Sequence, residues 1–480
     1  MLFNSIEFLL FFPAVAAAYF AAPHRFRWIL LLAASYVFYM AWQPAYALLL
    51  FTTTFVAWAS ALGMHGAALA RRRAYLLVSL AINLGLLFTF KYFNLFSDTA
   101  ESIAATLVGA RIDLPGLDVL LPVGISFYTF QALSYSIDVY RGDRGPERHF
   151  GLFALYVSFF PQLVAGPIER STTLLPQLHK SYDFEYRRVT DGLKLMAWGF
   201  FKKLVIADRL SVYVDQVYSA PTEFGSIVLV VATIFFAYQI YCDFSGYTDI
   251  AIGASQILGY DLMLNFRQPY HAATVQGFWR RWHISLSTWF RDYLYIPLGG
   301  NRVSTPRRYL NLFVVFVVSG LWHGAAWTFV AWGALHGFYL VFGMFTREWR
   351  KQIASSIGLD RLPVLYKALQ IATTFSLVTW AWIFFRADSI GDAWYVATHL
   401  LSDLSVPADL YLSMGAYDFW VGLIAIAILE VVHLGQRNVR LRFWLAERPT
   451  WVRWSLYYGA VMLVLLFANT DGGKFIYFQF

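Results

Sequence analysis

Cysteine is almost missing from this chain. Cys242 stands alone, which excludes a disulfide framework within the chain and any metal site built from several thiolates. Charge is also scarce. Only 14% of residues are Asp, Glu, Lys or Arg, where soluble domains run near about one quarter. Acidic groups are the scarcer sign, 29 against 37 basic residues, leaving a net charge of +8. That surplus does not describe a nucleic-acid surface, because the basic residues sit in short clusters between apolar runs and not along one face. Such clusters act as topology signals and headgroup contacts. Low-complexity tracts, Pro- or Gly-rich linkers and a repeat of hydropathy are lacking too. So are a phosphate loop, a dinucleotide-binding glycine pattern, a zinc-protease helix motif and a nucleophile elbow, which removes the commonest routes to nucleotide or hydrolytic chemistry. No metal site is expected.

What remains is apolar and aromatic. Hydrophobic residues make up 59% and aromatics 19% of the chain, with mean hydropathy +0.53, the composition of a polytopic membrane protein. Ile6–Ala22 lacks a basic leader and is followed at once by another apolar run, so it reads as a retained helix and not a cleaved signal. Charge alternates along the loops that follow. Arg25 and Arg27, then Arg71–Arg73, then Arg141, Arg144 and Arg148 mark one side. Asp98, Glu101, Asp113 and Asp118 mark the other. The positive-inside rule makes the basic side cytoplasmic and both termini extracytoplasmic. Asp388, Asp392, Asp403 and Asp409, and then Arg437, Arg440, Arg442 and Arg448, continue the alternation. The expected fold is all-α: residues 1–480 as a single membrane domain of about ten to twelve transmembrane or re-entrant helices. Residues 264–346 form its catalytic core region and 469–480 an extracytoplasmic tail. Lys202 and Lys203, amid Phe200, Phe201, Leu204 and Val205, read as part of an interfacial amphipathic helix.

The stretch Ser319–Trp327 organises the rest. It sets His323 between Gly320 and Gly324 and between Trp322 and Trp327, inside an otherwise apolar region. Arg302, Arg307 and Arg308 precede it, and Arg347, Arg350 and Lys351 follow it. Both ends therefore face the cytoplasm, and the chain must turn within the bilayer, with Gly320 and Gly324 as the place for the turn. An imidazole buried there needs a partner or a task, because a lone polar group in hydrocarbon costs several kcal/mol. The competing role is a core histidine bonded across helices. His283 sits instead in a basic, aromatic run, Trp279-Arg280-Arg281-Trp282-His283, where an interfacial anchor is the alternative. His336 reads as packing, and Asp243 and Asp249 as a cap and a local turn. His271 shows no partner in the sequence, and His433 lies at a span end where a solvated imidazole is the default.

Three further runs complete a pattern. Phe278–Ser287, Arg291–Arg302 and Gly320–Gly324 resemble the membrane-bound O-acyltransferase (MBOAT) family, most closely its bacterial branch that acetylates exported polysaccharides such as alginate. Leu121–Tyr128, Val164–Ile168 and Tyr241–Tyr247 are similar to the same branch. The resemblance implies a ring of helices around a central tunnel, with His323 and His283 as the signature residues. It implies acetyl transfer from cytosolic acetyl-CoA across the inner (cytoplasmic) membrane of a bacterium for O-acetylation of an exported polysaccharide. Peptidoglycan, teichoic acid or a lipid are the alternative acceptors. His323 would be the general base, and His283 would orient the thioester or assist proton transfer. Arg280, Arg281 and Arg291 would attract the CoA phosphates, and Trp322 and Trp327 would wall the tunnel. Acetyl-CoA enters as a substrate, with no permanently bound cofactor. The expected partners are membrane lipids and an extracytoplasmic polysaccharide acetyltransferase. The tail run Phe475-Ile476-Tyr477 resembles the C-terminal motif of small partner proteins in teichoic-acid D-alanylation, which implies Tyr477 as an acyl relay. The plainer role for the tail is an interfacial anchor, with Phe475, Phe478 and Phe480 in the headgroups. A transporter is the competing class, since ionisable residues in broken helices also mark transporters.

Overall fold

The structure, a computed structural model, describes all residues except 108, 110, 111, 118, 119, 165, 404, 406, 408, 437–443, 446, 470–474 and 477–480. The described residues are helical or irregular, with no strand among them. Two compact units are present, Met1–Met196 with Ile250–Met263, and Ala197–Asp249 with Leu264–Phe480. Seven described helical segments are long and apolar enough to cross a membrane, and Ile6–Ala21 is a shorter apolar helix.

The first unit carries α1 (Ile6–Ala21), α2 (His24–Met40), α3 (Ala47–Met64), α4 (Leu69–Leu87), α5 (Phe93–Leu107), α6 (Ile125–Arg141), α7 (Phe150–Ser158), α8 (Phe160–Leu163), α9 (Ser171–Leu178) and most of α10 (Tyr186–Phe200). A wide π turn, Phe88–Tyr92, joins α4 to α5 without a break. The joined segment runs 39 residues, about 58 Å of helix, well beyond the roughly 30 Å apolar core of a bilayer. Asp98 and Glu101, expected in a loop, therefore stand on α5. The chain around Gly166 is held by a buried carboxylate: Glu169 accepts the Met263 N–H at 2.6 Å. Burial, against the opposing Met263 N–H and Arg170, pushes the Glu169 carboxyl up to about 7.

The second unit begins with the end of α10 and continues through α11 (Asp208–Ser219) and most of α12 (Ser226–Leu258). After these come α13 (Val275–Trp279), α14 (Ile284–Phe290), α15 (Thr305–His323), α16 (Trp327–Phe345) and α17 (Arg347–Ser356). The last are α18 (Pro363–Arg386), α19 (Ile390–His399), α20 (Gly415–Gln436) and α21 (Thr450–Phe467). The π turn Phe201–Ala207 between α10 and α11 buries both lysines, so the interfacial reading of Lys202 and Lys203 is corrected. Lys203 Nζ lies 2.7 Å from Asp208 and 2.6 Å from Asp243, and Lys202 Nζ lies 2.7 Å from Asp249. Asp243 and Asp249 are neither cap nor turn but lie within a 33-residue helix whose charges are matched by α10–α11. Gly246 lets the two backbones meet there, since a Cβ on it would sit 2.8 Å from the Gly199 carbonyl oxygen.

α15 and α16 form an antiparallel hairpin, joined through Gly324–Ala326. The chain therefore does reverse at this point, as the flanking charges require. Of the two glycines, only Gly324 is in the turn. Gly320 lies in the contact between the helices, where an added Cβ would strike the Phe329 carbonyl oxygen, and a Cβ added at Gly333 would strike that of Phe316. Glycine is needed at both positions for close approach and not for a left-handed bend.

Candidate active site

Both signature histidines fall in the second unit and are buried, His283 at 0% and His323 at 2% exposure. His323 is the last residue of α15. The glycine contact draws α16 close enough for Trp332 to reach it, with ring centroids 5.0 Å apart. Trp322 stands 5.0 Å away and Phe385 of α18 at 5.4 Å. Aromatic rings thus surround the imidazole on several sides, and the nearest ionisable side chain found among these ring contacts is His283, at 6.1 Å between centroids.

His283 is placed by backbone geometry. It occupies the N-cap of α14 in the left-handed region, φ 43 and ψ 55, a conformation a residue with a Cβ rarely adopts. Asn265 holds it there. The Asn265 Oδ1 accepts the Ser285 N–H at 3.1 Å and the Ser285 hydroxyl at 3.0 Å, and lies 3.3 Å from His283 Nδ1. Its carbonyl accepts the Ile284 N–H, and the Arg267 N–H reaches the Arg281 carbonyl. The loop at 265–267 therefore clamps both sides of the histidine. With Oδ1 accepting, the hydrogen sits on Nδ1 and Nε2 carries the lone pair. Burial pushes the His283 imidazole down to about 3, so it stays neutral at working pH.

Phe244 of α12 packs edge-on to His283 at 4.7 Å and touches Phe475 at 6.1 Å. Phe475 is fully buried, with its ring 4.2 Å from that of Tyr247. The Ile476 N–H donates to Asp243 Oδ2 at 2.7 Å. The tail thus enters protein and not headgroups at Phe475, which corrects the anchor role for that residue. Asp243 joins the tail to Lys203. Burial works against the Lys203 ammonium, but the Asp243 and Asp208 carboxylates outweigh it and hold the group above its ordinary range. Tyr477, Phe478 and Phe480 lie outside the described residues.

The other candidates scatter. Trp322 is buried beside both histidines, at 5.9 Å from His283, whereas Trp327 opens α16 with 54% of its surface exposed. Arg280 is exposed and Arg281 half-buried beside the clamp. Arg291 is exposed and bonded to its neighbour Asp292 at 2.7 Å. His336 accepts the Trp279 indole N–H at 3.2 Å, which suits the packing role. Two histidines are corrected: His271 lies 2.6 Å from Glu430, and His433 is buried and 3.2 Å from the Tyr241 hydroxyl. The sequence does not signal Asn265 and Trp332 as site residues, nor Phe244 as a neighbour of His283. Asn265 reaches its partners from 18 and 20 residues away through a loop, and no periodicity announces such a contact.

The sequence matches MBOAT, the membrane-bound O-acyltransferase family, over residues 147–356. It is 38% identical to a "Probable alginate O-acetylase AlgI" of Pseudomonas aeruginosa, over 91% of this chain and 82% of that protein. Identity to a "Peptidoglycan O-acetyltransferase" of Helicobacter pylori is 35%, over 82% and 78% of the two chains. A "Teichoic acid D-alanyltransferase" of Streptococcus thermophilus is 29% identical over 57% of this chain and 70% of its own length. These similarities identify the chain as an acyltransferase that belongs to the membrane-bound O-acyltransferase family.

Proposed function

We propose that this chain moves an acetyl group from cytosolic acetyl-CoA across a bacterial inner membrane for O-acetylation of an exported polysaccharide of the alginate type. The observation that carries the catalytic part is the pair of buried imidazoles 6.1 Å apart, each fixed by its own element. His323 takes the proton of the attacking hydroxyl. The new C–O bond forms, the tetrahedral oxyanion collapses, the C–S bond breaks, and the proton passes to the departing CoA sulfur. His283, neutral and held by Asn265, orients the thioester. Arg280 and Arg281 attract the CoA phosphates. Arg291 contributes less, its charge being offset by Asp292. Trp322 and, nearer the surface, Trp327 wall the path.

The acceptor hydroxyl in this reading is that of Tyr477. The burial of Phe475 beside Phe244, itself against His283, and the bond from the Ile476 N–H to Asp243 support a relay role for the tail. A tyrosyl ester suits a relay, because a phenol of pKa about 10 leaves more readily than a sugar alkoxide. An extracytoplasmic transferase then passes the acetyl group to the polymer. Both termini lie outside in this arrangement. The similarity to the peptidoglycan enzyme favours peptidoglycan as the second acceptor, and ester analysis of both glycans in a deletion strain separates the two.

The test is acetyl transfer from labelled acetyl-CoA by protein in membranes. His323→Ala should lose about 10²–10⁴-fold in rate, the usual worth of a general base, at unchanged protein abundance. Undiminished transfer in that variant overturns the assignment. Tyr477→Phe keeps the ring and removes only the hydroxyl, so normal polymer acetylation with it would leave the tail without a relay role. A transporter would neither release free CoA nor label an acceptor.

A further inference from the structure

We propose that His271, Glu430 and His433 form a binding site for one divalent ion of the zinc class, which ties the loop leading to His283 onto the end of α20. The site lies outside the acyl-transfer machinery, and its existence does not depend on the proposed substrate.

The three residues come from two distant stretches. His271 closes the short 3-10 turn Pro269–His271, and Glu430 and His433 lie in the last turns of α20. One donor atom from each lies within 4.8 Å of the others. His271 Nε2 is 2.6 Å from Glu430 Oε2, and His433 Nδ1 is 3.9 Å from Glu430 Oε1. Tetrahedral zinc with bonds of about 2.0–2.1 Å sets its ligand atoms about 3.3 Å apart. The two observed separations, one to each oxygen of the Glu430 carboxylate, lie on either side of that value. Two imidazoles and one carboxylate are a zinc ligand set with a fourth position left for water. Glutamate and histidine three residues apart face the same side of a helix, as a shared ion requires.

The surroundings hold these donors in place. Gln268 takes a left-handed backbone, φ 48, and its side-chain amide donates to the His433 carbonyl at 3.0 Å and to Gln436 Oε1 at 3.3 Å. That double bond to the end of α20 presses the turn carrying His271 against Glu430. The Tyr241 hydroxyl, 3.2 Å from His433 Nε2, fixes the ring with Nδ1 toward Glu430. Such an outer partner is what orients a metal-binding imidazole. Side-chain exposures of 12%, 26% and 6% for His271, Glu430 and His433 take the set out of bulk solvent while leaving an entry at Glu430. Lys202, whose charge reaches His433, is paired with Asp249 at 2.7 Å, which offsets part of its repulsion of an ion. Bound there, the ion would fasten the chain twelve residues before His283 and so stiffen the approach to the Asn265 clamp.

The test uses the full chain in detergent, purified without a histidine tag and dialysed against zinc chloride and then metal-free buffer. Mass-spectrometric metal analysis should find close to one zinc per chain. Zinc should raise the melting temperature, and a chelator should reverse the rise. Cobalt in its place should give the visible bands of a four-coordinate ion. His271→Gln and His433→Gln should each lose the bound zinc and the thermal shift, while His399→Gln keeps both. Wild-type protein with no retained zinc and no thermal shift in excess metal overturns the proposal and leaves a hydrogen-bonded triad. Equal zinc in wild type and both histidine variants overturns it as well, by placing the ion elsewhere. If the variants fail to fold, the wild-type stoichiometry and cobalt spectrum still decide.

Discussion

At the scale of single residues, His283 is the informative case. Its left-handed backbone costs about 1–3 kcal/mol and persists because Asn265 bonds to its ring and to Ile284 and Ser285 after it, while the Arg267 N–H holds the Arg281 carbonyl before it. Asn265→Ala removes the acceptor of three hydrogen bonds and leaves the Ser285 N–H buried, a loss of about 1–3 kcal/mol. Transfer kinetics on that variant should show a fall in kcat larger than any rise in KM, because the substrate pocket survives while the ring loses its orientation. An unchanged kcat would mean that the clamp matters only for folding. His283 also sets a pH dependence. Its folded pKa is depressed from 6.5 to about 3 by burial. The stability it contributes is therefore present above about pH 6.5 and lost as pH falls toward about 3, where only the unfolded chain takes the proton freely. The melting temperature of His283→Gln should fall less than that of wild type between about pH 6.5 and pH 4. Parallel curves would show that other groups dominate acid sensitivity.

At the scale of elements, two contacts decide the core of the second unit. The α15–α16 hairpin depends on Gly320 and Gly333, where added methyl groups would strike carbonyl oxygens. Gly320→Ala should destabilise by about 1–3 kcal/mol or more, as overpacking does. Gly343→Ala meets only the end of Arg350, at 3.9 Å, and should be neutral or stabilising by up to about 1 kcal/mol. Thermal unfolding of the pair in detergent measures the contrast, and equal melting temperatures would argue against a tight glycine contact. The Lys203 triad is the second device. Lys203→Met leaves Asp208 and Asp243 buried without their cation, at a cost of about 3–5 kcal/mol. Adding Asp243→Asn to Lys203→Met should recover part of the lost folded yield, since one uncompensated charge is then gone. No recovery would mean that the lysine is held for another reason. In the sequence Lys202 and Lys203 read as interfacial groups, and Asp243 and Asp249 as a cap and a local turn. An offset of six from Asp243 to Asp249 is a poor spacing for one helical face, and the actual solution is two partners, offered by consecutive lysines on a widened turn.

At the scale of the whole chain, membrane orientation rests on loop charge and is open to direct measurement. Cys242 is buried, so single cysteines introduced elsewhere label against a low background. Arg71→Cys should react with an impermeant reagent from the cytoplasmic side, and Asp113→Cys from the outer side. Labelling of both from one face would invert the argument for a hairpin with its ends in the cytoplasm.

The sequence by itself determined the class of molecule, the positions of most long helices, the reversal of the chain near His323 and the interest of a histidine placed in an apolar run. These follow from local quantities: runs of apolar residues long enough to span a bilayer, clusters of arginine beside them, and a polar ring inside hydrocarbon. Only the tertiary structure decided the partners. Asn265 behind His283, Trp332 against His323, the lysines of the π turn matched to aspartates on α12, the docking of Phe475 and the meeting of His271 with Glu430 and His433 all join residues with no regular spacing between them. Their pairing is imposed by the cost of burying each polar group alone. A sequence shows that such a cost exists at a position, but not which distant side chain relieves it.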